Sequence, residues 1–349
     1  AGGYADTTGY SAVNSASSII DMDRWTPENV PIGNASGTVQ APLHPQWGDV
    51  TAFALDHNHQ FRPPAPQPFL IDPGATANLS AGTITRGNGE LVAISKSLIG
   101  VDINPAFISQ AEEVVTYSAS LAGVGGDRQK IIAEFWEDPS GSPYPPGTWM
   151  FFGQKIAEST TPDLDRDVPL FFGAGNAVMD AGIATWEAKY AYDYARPVRV
   201  VRELGRLGLI GEENADGDFE IEAWAGVGEE TQTILATEFT TFQTPGDNPS
   251  PPFPEFTSGH SAFSAAAARL FGLMTESDDF VLGDGTTGLS ATFAAGDSRF
   301  EPGVSPTEPV TLSWSTFSQA ADEAGLSRLY GGIHFNDGDI MGRELGDAV

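Results

Sequence analysis

Helical spacing of apolar residues constrains the fold of this chain more than any other feature of its sequence. In the longest run, residues 168–195, apolar side chains recur every three or four positions. Runs of the same period predict further helices at about residues 104–122, 127–136, 148–158, in the alanine-rich stretch ending at 271, and at 316–330. These patterns favour an all-α fold.

The stretches between these runs are rich in proline, glycine and acidic residues. We expect one domain over residues 1–349, in which 1–95 form an extended N-terminal arm that wraps a helical body, 96–349, carrying the site. Residues 204–252 are turn-rich with a short helix predicted at 229–238, and residues 276–312 are expected to be a hairpin or an irregular excursion.

The charge balance argues against nucleic acid as a partner. The chain has 47 acidic against 17 basic residues, a formal net charge of −30, so its surface field repels phosphates. A surface suited to salty water and ordinary acidity kept for solubility both remain open. A phosphate-like ligand would need a local basic pocket.

The chain contains no cysteine, which excludes disulfides and thiolate metal sites. No uninterrupted apolar run reaches about 18 residues, so we expect no membrane span. The sequence begins at Ala1 without a charged segment followed by an apolar one. A signal peptide could have been removed, or could never have existed. A secreted or periplasmic location is the expectation, and a homo-oligomer is left open.

Two cations stand near the end of the longest predicted helix. Lys189 and Arg196 are seven residues apart, close to two turns, so they would project from nearly the same face about 10 Å apart along the axis. Pro197 would move Arg196 out of the α region and re-aim it. One anion could meet both cations, and a solvated basic face is the alternative.

A second segment, Thr257-Ser-Gly-His260, precedes the alanine-rich run. Thr257 or Ser258 can cap a helix here, which would leave free amides, including that of Gly259, facing an anion. His260 would then lie in the first turn beside that anion. An ordinary cap with a hydrogen-bonded histidine is the alternative.

A third segment carries Arg328 and His334, separated by Gly331 and Gly332. The two glycines allow the chain to bend and bring both side chains to one point. Taken together, the three segments supply cations, imidazoles, a hydroxyl and an amide, which are the donors that the oxygens of an anion require.

The order Lys-x6-Arg-Pro, Ser-Gly-His and Ser-Arg-x5-His resembles the signature of the vanadium-dependent haloperoxidases and of their relatives, the type 2 phosphatidic acid phosphatases and bacterial acid phosphatases. The resemblance covers about residues 186–346. Segments 135–138 and 145–149 are similar to the soluble bacterial haloperoxidase branch, whose fold is a helix bundle.

The resemblance implies a vanadate cofactor and a role for each motif residue. Lys189, Arg196 and Arg328 would neutralise the vanadate oxygens. Ser258 and the Gly259 amide would add hydrogen bonds. His334 would be the axial vanadium ligand and His260 the acid–base group.

The implied reaction uses hydrogen peroxide to oxidise a halide, bromide or iodide with chloride left open, to hypohalous acid that halogenates a small organic acceptor. Vanadate would act as a Lewis acid. An acid phosphatase of the same superfamily, with a histidine nucleophile at position 334, is the alternative, and a non-catalytic phosphate or vanadate binder is a third hypothesis.

Three carboxylates are candidates for supporting the two imidazoles. Several relatives have an aspartate four residues after the axial histidine, whereas this chain has Asp337 and Asp339 at three and five. Either could support His334 or only the local turn. Asp138 is expected as a hydrogen-bond partner of His260.

Two aromatic residues, Trp186 and Phe253, lie near the motifs in sequence, and the resemblance places them in a halide pocket; simple core positions are the alternative. His57 and His59 could together ligate a metal from a strand, but neither has a recognisably spaced partner, which disfavours a metal site.

Overall fold

The computed structural model of the protein describes residues 5–31, 37–139, 141–158, 163–246, 248–281 and 287–349. Within these residues the chain forms eight helices: α1 Pro105–Ala119, α2 Gly123–Phe135, α3 Tyr144–Glu158, α4 Leu164–Tyr192, α5 Pro197–Arg206, α6 Gly259–Thr275, α7 Phe317–Tyr330 and α8 Asn336–Ala348. Each helix predicted from an apolar run is present, with ends shifted by a few residues at most.

The end of α4 differs from the prediction in a way that matters for the two cations. Asp193 adopts a left-handed conformation, φ 52°, and ends the helix at Tyr192. Pro197 then begins α5, with Arg196 at the N-cap position. Lys189 and Arg196 therefore lie on two helices joined by a tight turn, and their predicted spacing along one axis is wrong.

Helix α5 itself was not predicted. Its Val198, Val200 and Val201 are β-branched, which lowers helix propensity, and the segment is short. All three side chains are buried together with Leu204. Burial of this apolar face outweighs the weak intrinsic preference.

Helix α6 packs against α3, α4, α7 and α8. Three glycines spaced four residues apart, Gly338, Gly342 and Gly346, lie where α8 meets α6 and the loop before it. A Cβ at Gly342 would overlap the carbonyl of Ser258, and one at Gly346 the carbonyl of Ala262. The absence of these side chains lets α8 approach the start of α6 closely.

Two large clusters of buried apolar side chains form most of the core. One is built mainly from α1, α5 and residues 69–84, and the other from α2, α3, α4, α6, α7 and the strand at 310–314. The first cluster includes Ala195, Phe256 and Phe335, which are chain neighbours of Arg196, Glu255 and His334. The backbone next to these polar residues is thus fixed by packing.

The all-α prediction is correct for the helices but omits four small antiparallel sheets in the described residues. The strands are β1 Asn29–Val30 with β2 Thr38–Val39, β3 Thr76–Asn78 with β4 Thr83–Thr85 and β5 Leu91–Ala93, β6 Glu212–Glu213 with β7 Phe219–Trp224 and β8 Thr231–Leu235, and β9 Leu289–Phe293 with β10 Val310–Trp314.

The short helix predicted at 229–238 is wrong. The segment forms β8, which pairs with β7 from Glu220↔Leu235 to Trp224↔Thr231, followed by a single 3₁₀ turn. Thr231, Thr233 and Ile234 are β-branched and favour an extended strand. Of the two alternatives left for residues 276–312, a hairpin or an irregular excursion, the antiparallel pairing of β9 with β10 favours the hairpin.

The described part of the N-terminal region contacts α4. The Asp180 carboxylate accepts hydrogen bonds from the amides of Phe53 at 2.7 Å and Ala54 at 2.6 Å. That residues 1–95 form a separate arm of a single domain stays a prediction. Residues 1–4 and 32–36 of the predicted arm, residue 247 of the turn-rich segment and residues 282–286 of the expected hairpin or irregular segment lie outside the described residues, as do residues 140 and 159–162 of the helical body.

A helix that crosses a membrane must be both long and apolar. None in the described ranges combines the length and the apolar character needed to cross a membrane.

Candidate functional site

Lys189 is fully buried in the last turn of α4. Its Nζ donates hydrogen bonds to the backbone oxygens of Pro254 at 3.1 Å and Glu255 at 2.8 Å. Burial, together with repulsion from Arg196, lowers the pKa of Lys189 well below its usual value. The ammonium group is therefore held against a loop, away from bulk water.

Arg196 is also buried and reaches the loops that precede α6 and α8. Its Nε donates to the Phe253 oxygen and its Nη1 to the Ile333 oxygen, both at 2.9 Å. Nη1 also lies 3.0 Å from His334 Nε2. Because a guanidinium only donates, Nε2 is the acceptor and Nδ1 carries the imidazole proton. Burial lowers the pKa of Arg196 to about 9.

Arg328 is the third buried cation and projects from α7. Its Nη1 donates to Gln243 Oε1 and its Nη2 to the backbone oxygen of Ala133, both at 2.9 Å. Burial lowers the pKa of Arg328 to about 10. Gln243, in the segment where no functional residue was predicted, thus orients one of the site cations.

These three cations share one property: among the described residues, none has a carboxylate within ion-pair distance. The acceptors around them are neutral, namely backbone carbonyls, a side-chain amide, a hydroxyl and an imidazole. A buried charge without an opposite charge is unfavourable. The arrangement therefore creates a strongly positive region inside a chain of net charge −30 and suits an anion with several oxygens.

His334 is buried, and its second ring nitrogen is held by a residue that was not predicted. Nδ1 lies 2.6 Å from Glu255 Oε1, which also accepts a hydrogen bond from the Phe335 amide at 3.1 Å. Burial raises the pKa of Glu255 to about 7, and Arg196 is the main opposing influence. Burial and then Arg196 lower the pKa of His334 well below its usual value, so the imidazole is neutral near pH 7.

The carboxylates expected to support His334 do not contact it in the structure. Asp339 accepts a hydrogen bond from the Ser261 hydroxyl at 2.6 Å and pairs with Arg343. Asp337 lies in the first turn of α8. Glu255, in the loop before α6, takes the supporting position.

The Ser258–Gly259–His260 segment begins α6 as predicted. Ser258 is the N-cap, and its Oγ accepts a hydrogen bond from the Ser261 amide at 3.3 Å. The Ser258 hydroxyl hydrogen is still available for donation. Gly259 is the first helical residue, where amides have no acceptor within the helix.

The expected pairing of Asp138 with His260 is not seen. Asp138 Oδ1 accepts a hydrogen bond from the Thr148 hydroxyl at 2.7 Å, and its buried Oδ2 has no partner in the described residues. The His260 ring instead donates toward the backbone oxygens of Glu137 and Trp136. Its Nε2 has no partner there, and burial lowers its pKa well below the usual value.

The two aromatic residues assigned to a halide pocket lie together beside the Lys189 ammonium. The ring centroids of Trp186 and Phe253 are 5.1 Å apart. Lys189 Nζ lies 5.9 Å from the Trp186 ring and 5.1 Å from the Phe253 ring. Both aromatic side chains line a cavity, and their place in a halide pocket stays a prediction.

A cavity of about 680 Å³ opens over the site. Gly259, His260, Arg328 and His334 are among its lining residues, whereas Lys189 and Arg196 are not. The structure therefore brings two imidazoles and one guanidinium to the cavity, and Arg196 Nη1 contacts one of these imidazoles, that of His334.

His57 and His59 form no metal site in the described residues. Their rings stack with centroids 4.2 Å apart. Within the described ranges, no group of three or more His, Cys, Asp or Glu side chains is arranged to hold a metal ion.

Comparison with known proteins gives one family and several solved structures. A family model described as "VCPO second helical-bundle domain" matches residues 169–349, more than half of the chain. No curated protein matches the sequence.

Three of the solved structures that resemble the chain are bacterial vanadium-dependent haloperoxidases. An apo-type bacterial vanadium-dependent chloroperoxidase has a TM-score of 0.72 and 21% identity, covering 99% of this chain and 64% of its own. The holo-type chloroperoxidase has a TM-score of 0.70 and 21% identity, with 99% and 63% coverage. A bacterial vanadium-dependent iodoperoxidase has a TM-score of 0.59 and 22% identity, with 94% and 58% coverage.

At these identities the solved structures share the fold, and this chain spans less than two thirds of their length. The family match rests on the region that carries both cations of the α4–α5 turn and both imidazoles. It agrees with the resemblance seen in the sequence motifs. The chain belongs to the vanadium haloperoxidase family.

Proposed function

We propose that the protein is a vanadate-dependent haloperoxidase, which uses hydrogen peroxide to oxidise a halide to hypohalous acid that halogenates organic compounds. One observation carries the proposal: three buried cations, which have no carboxylate partner among the described residues, lie near two imidazoles that line a cavity. Family membership supports the same activity.

The residues fit a bound vanadate. Lys189, Arg196 and Arg328 would hold its oxygens, with Ser258 and the Gly259 amide as further donors. His334 Nε2 would bind vanadium, because Glu255 holds the proton on Nδ1 and Nε2 therefore has a lone pair to donate. In this structure that lone pair accepts a hydrogen bond from Arg196. When bound, vanadate supplies Lewis acidity that activates peroxide.

His260 is placed to move protons in this reaction. Its Nε2 is buried at the cavity and has no partner in the described residues. Its lowered pKa keeps the imidazole neutral near pH 7, so that it can take a proton from peroxide and return it to a leaving oxygen.

The surrounding cations would stabilise negative charge that develops on the reacting oxygens. They are held in place by neutral acceptors, so no reorganisation is needed when the charge develops. We assign Trp186 and Phe253 to the halide pocket, since both rings lie beside the Lys189 ammonium. Bromide and iodide are the proposed halides, and chloride is to be tested with them.

The test adds orthovanadate to protein freed of bound anions and follows halogenation of a phenol dye. We expect halogenation that requires vanadate, peroxide and bromide or iodide together. Hydrolysis of a phosphate ester without this oxidation would favour the phosphatase alternative. Vanadate binding without either turnover would identify a non-catalytic binder and refute the proposal.

A further inference from the structure

Glu137 is a buried carboxylate close to the site, and its side chain has no role in the proposed reaction. It lies just after α2, four residues beyond Ala133, whose backbone oxygen accepts a hydrogen bond from Arg328. Glu137 and Arg328 also line the same cavity. Among its charged neighbours, Glu137 does most to raise the pKa of Arg328 against the lowering effect of burial. A competing anion is therefore present beside one of the cations that would hold the ligand.

Arg328 has donors to spare that such a carboxylate could take. A guanidinium carries five N–H groups. Three of them are used by the Ser327 hydroxyl at 2.8 Å and by Gln243 Oε1 and the Ala133 oxygen at 2.9 Å. The two that have no acceptor among the described residues can pair with the oxygens of a carboxylate or with those of a tetrahedral anion. An acceptor that takes both of them excludes the other.

Both carboxylate oxygens of Glu137 are instead held by other groups. Oε1 accepts a hydrogen bond from the Thr244 hydroxyl at 2.7 Å. Oε2 lies 2.8 Å from Arg299 Nη2, an ion pair without the alignment of a hydrogen bond. Because the Glu137 side chain is only 5% exposed, water does little to stabilise its charge. Arg299 is therefore the cation that balances Glu137, and Arg328 stays without a carboxylate.

Arg299 lies between β9 and β10 and is fixed in place by α2. Its amide donates to Glu134 Oε2 at 2.6 Å, and its Nη2 also donates to the Glu134 backbone oxygen. The Ser298 hydroxyl donates to the second carboxylate oxygen of Glu134. The Arg299 side chain is nevertheless 46% exposed, so it can be replaced with little loss of core packing.

We propose that Arg299 is a positioning residue, which holds the Glu137 carboxylate away from Arg328 and so keeps the anion site open. The effect on vanadate rests on the proposed function, but the position of Glu137 does not. Without Arg299, Glu137 would pair with Arg328, because a buried carboxylate without a cation is unfavourable. An incoming oxyanion would then have to displace Glu137 before it could bind.

The position of Glu137 is tested first, by crystal structures of the unchanged protein and of Arg299→Met grown without vanadate or phosphate. In the variant we expect a Glu137 carboxylate oxygen within about 4 Å of an Arg328 nitrogen, the range of an ion pair. In the unchanged protein, the same oxygens should face Thr244 and Arg299. A Glu137 side chain that keeps its place in the variant, or turns towards solvent, would overturn the proposal.

The consequence for binding is measured by isothermal titration with orthovanadate. Arg299→Met should weaken binding by about tenfold or more, since the anion must replace a charge-assisted contact between Glu137 and Arg328. Arg128→Met is the matched control, because Arg128 is also 46% exposed, pairs with a carboxylate and removes the same charge. We expect its affinity to stay within about twofold of the unchanged protein. Equal losses in the two variants would mean that only net charge matters, and would refute the proposal.

A double-mutant cycle separates this competition from general damage around Arg299. In a protein that already carries Glu137→Gln, Arg299→Met should change orthovanadate affinity by less than about twofold, because the amide has no negative charge to offer Arg328. The contact of Arg299 with Glu134 is lost in both backgrounds, so a loss as large as that without Glu137→Gln would show that Arg299 acts through Glu134 and would contradict the proposal. If the unchanged protein binds no orthovanadate, the proposed function fails, and the crystal structures still decide the role of Arg299.

Discussion

Glu255 Oε1 lies 2.6 Å from His334 Nδ1, and both side chains are buried. This contact fixes the ring and its tautomer, so that Nε2 carries no proton and its lone pair accepts a hydrogen bond from Arg196 Nη1. We predict that Glu255→Gln weakens vanadate binding by about 10-fold to 100-fold, the usual effect of losing a partner of a metal-binding histidine. Isothermal titration with orthovanadate measures it.

Asp337→Asn is the matched control for this variant, because Asp337 also lies near His334 in sequence but makes no contact with its ring. We expect vanadate affinity to stay within about twofold of the unchanged protein. Similar losses of vanadate affinity in both variants would mean that negative charge near the site determines the affinity. The specific contact between Glu255 and His334 would then have no role.

Lys189→Met should reduce the stabilisation that orthovanadate gives to the fold. A ligand at about 100 times its Kd stabilises the folded state by about 2.7 kcal/mol, and a tenfold weaker Kd removes about 1.4 kcal/mol of this. Thermal unfolding with and without orthovanadate measures the difference. Lys155→Met, at a partly exposed lysine paired with Glu158, is expected to keep the full vanadate effect. An undiminished shift in the Lys189 variant would place the anion elsewhere.

His260→Ala should lower bromide-dependent turnover by about 10²-fold to 10⁴-fold, because it removes the group that moves protons. Vanadate affinity should change much less, since His334 and the three cations remain. Steady-state dye bromination and vanadate titration together separate the two effects. His44→Ala, at an exposed histidine that also lines the cavity, serves as the control, and equal rates in all three proteins would exclude the assigned role.

The stability of the fold should depend on pH through Asp193. Burial raises its pKa from the ordinary 3.8 to about 6, so the folded chain keeps a proton that the unfolded chain has released. This contribution to the free energy of unfolding therefore falls as pH rises from about 4 to about 6. Asp193→Asn removes the titration and tolerates the left-handed backbone.

The free energy of unfolding of Asp193→Asn, measured relative to that of the unchanged protein, should rise by about 1 kcal/mol between about pH 5 and about pH 7.5. Urea unfolding of both proteins at several pH values, all kept above the pI of about 4.2, measures it. A stability difference that stays constant over this range would show that Asp193 does not titrate as described.

The positions of the helices and of the motif residues could be predicted from the sequence for a physical reason. In a long amphipathic helix, the regular spacing of the apolar residues shows which face is buried. The apolar neighbours of Lys189 in the sequence likewise indicate a buried cation. Short elements gave less information. The strand Thr231–Leu235 and the helix Pro197–Arg206 are each too brief for periodicity to outweigh local preference.

Contacts between segments distant in the sequence could not be predicted. Glu255 lies three residues before the motif Ser258 in a proline-rich loop, whose path follows no period. The sequence offered one signal: Glu255 lies among prolines and phenylalanines. A carboxylate buried with such neighbours needs a hydrogen-bond partner, because burial without one is unfavourable. Asp138 was expected to pair with His260, but its Oδ1 accepts a hydrogen bond from Thr148, ten residues later, and this local contact was not considered.

The close approach of Gly338, Gly342 and Gly346 to the preceding loop and helix has a consequence for assembly. The Ser258 amide donates to the Gly338 oxygen at 2.8 Å, so the N-cap residue of α6 is joined to the first turn of α8. A polypeptide without α8 would carry every cation of the site but would lack this acceptor. We therefore expect oxyanion binding to require a docked C-terminal helix.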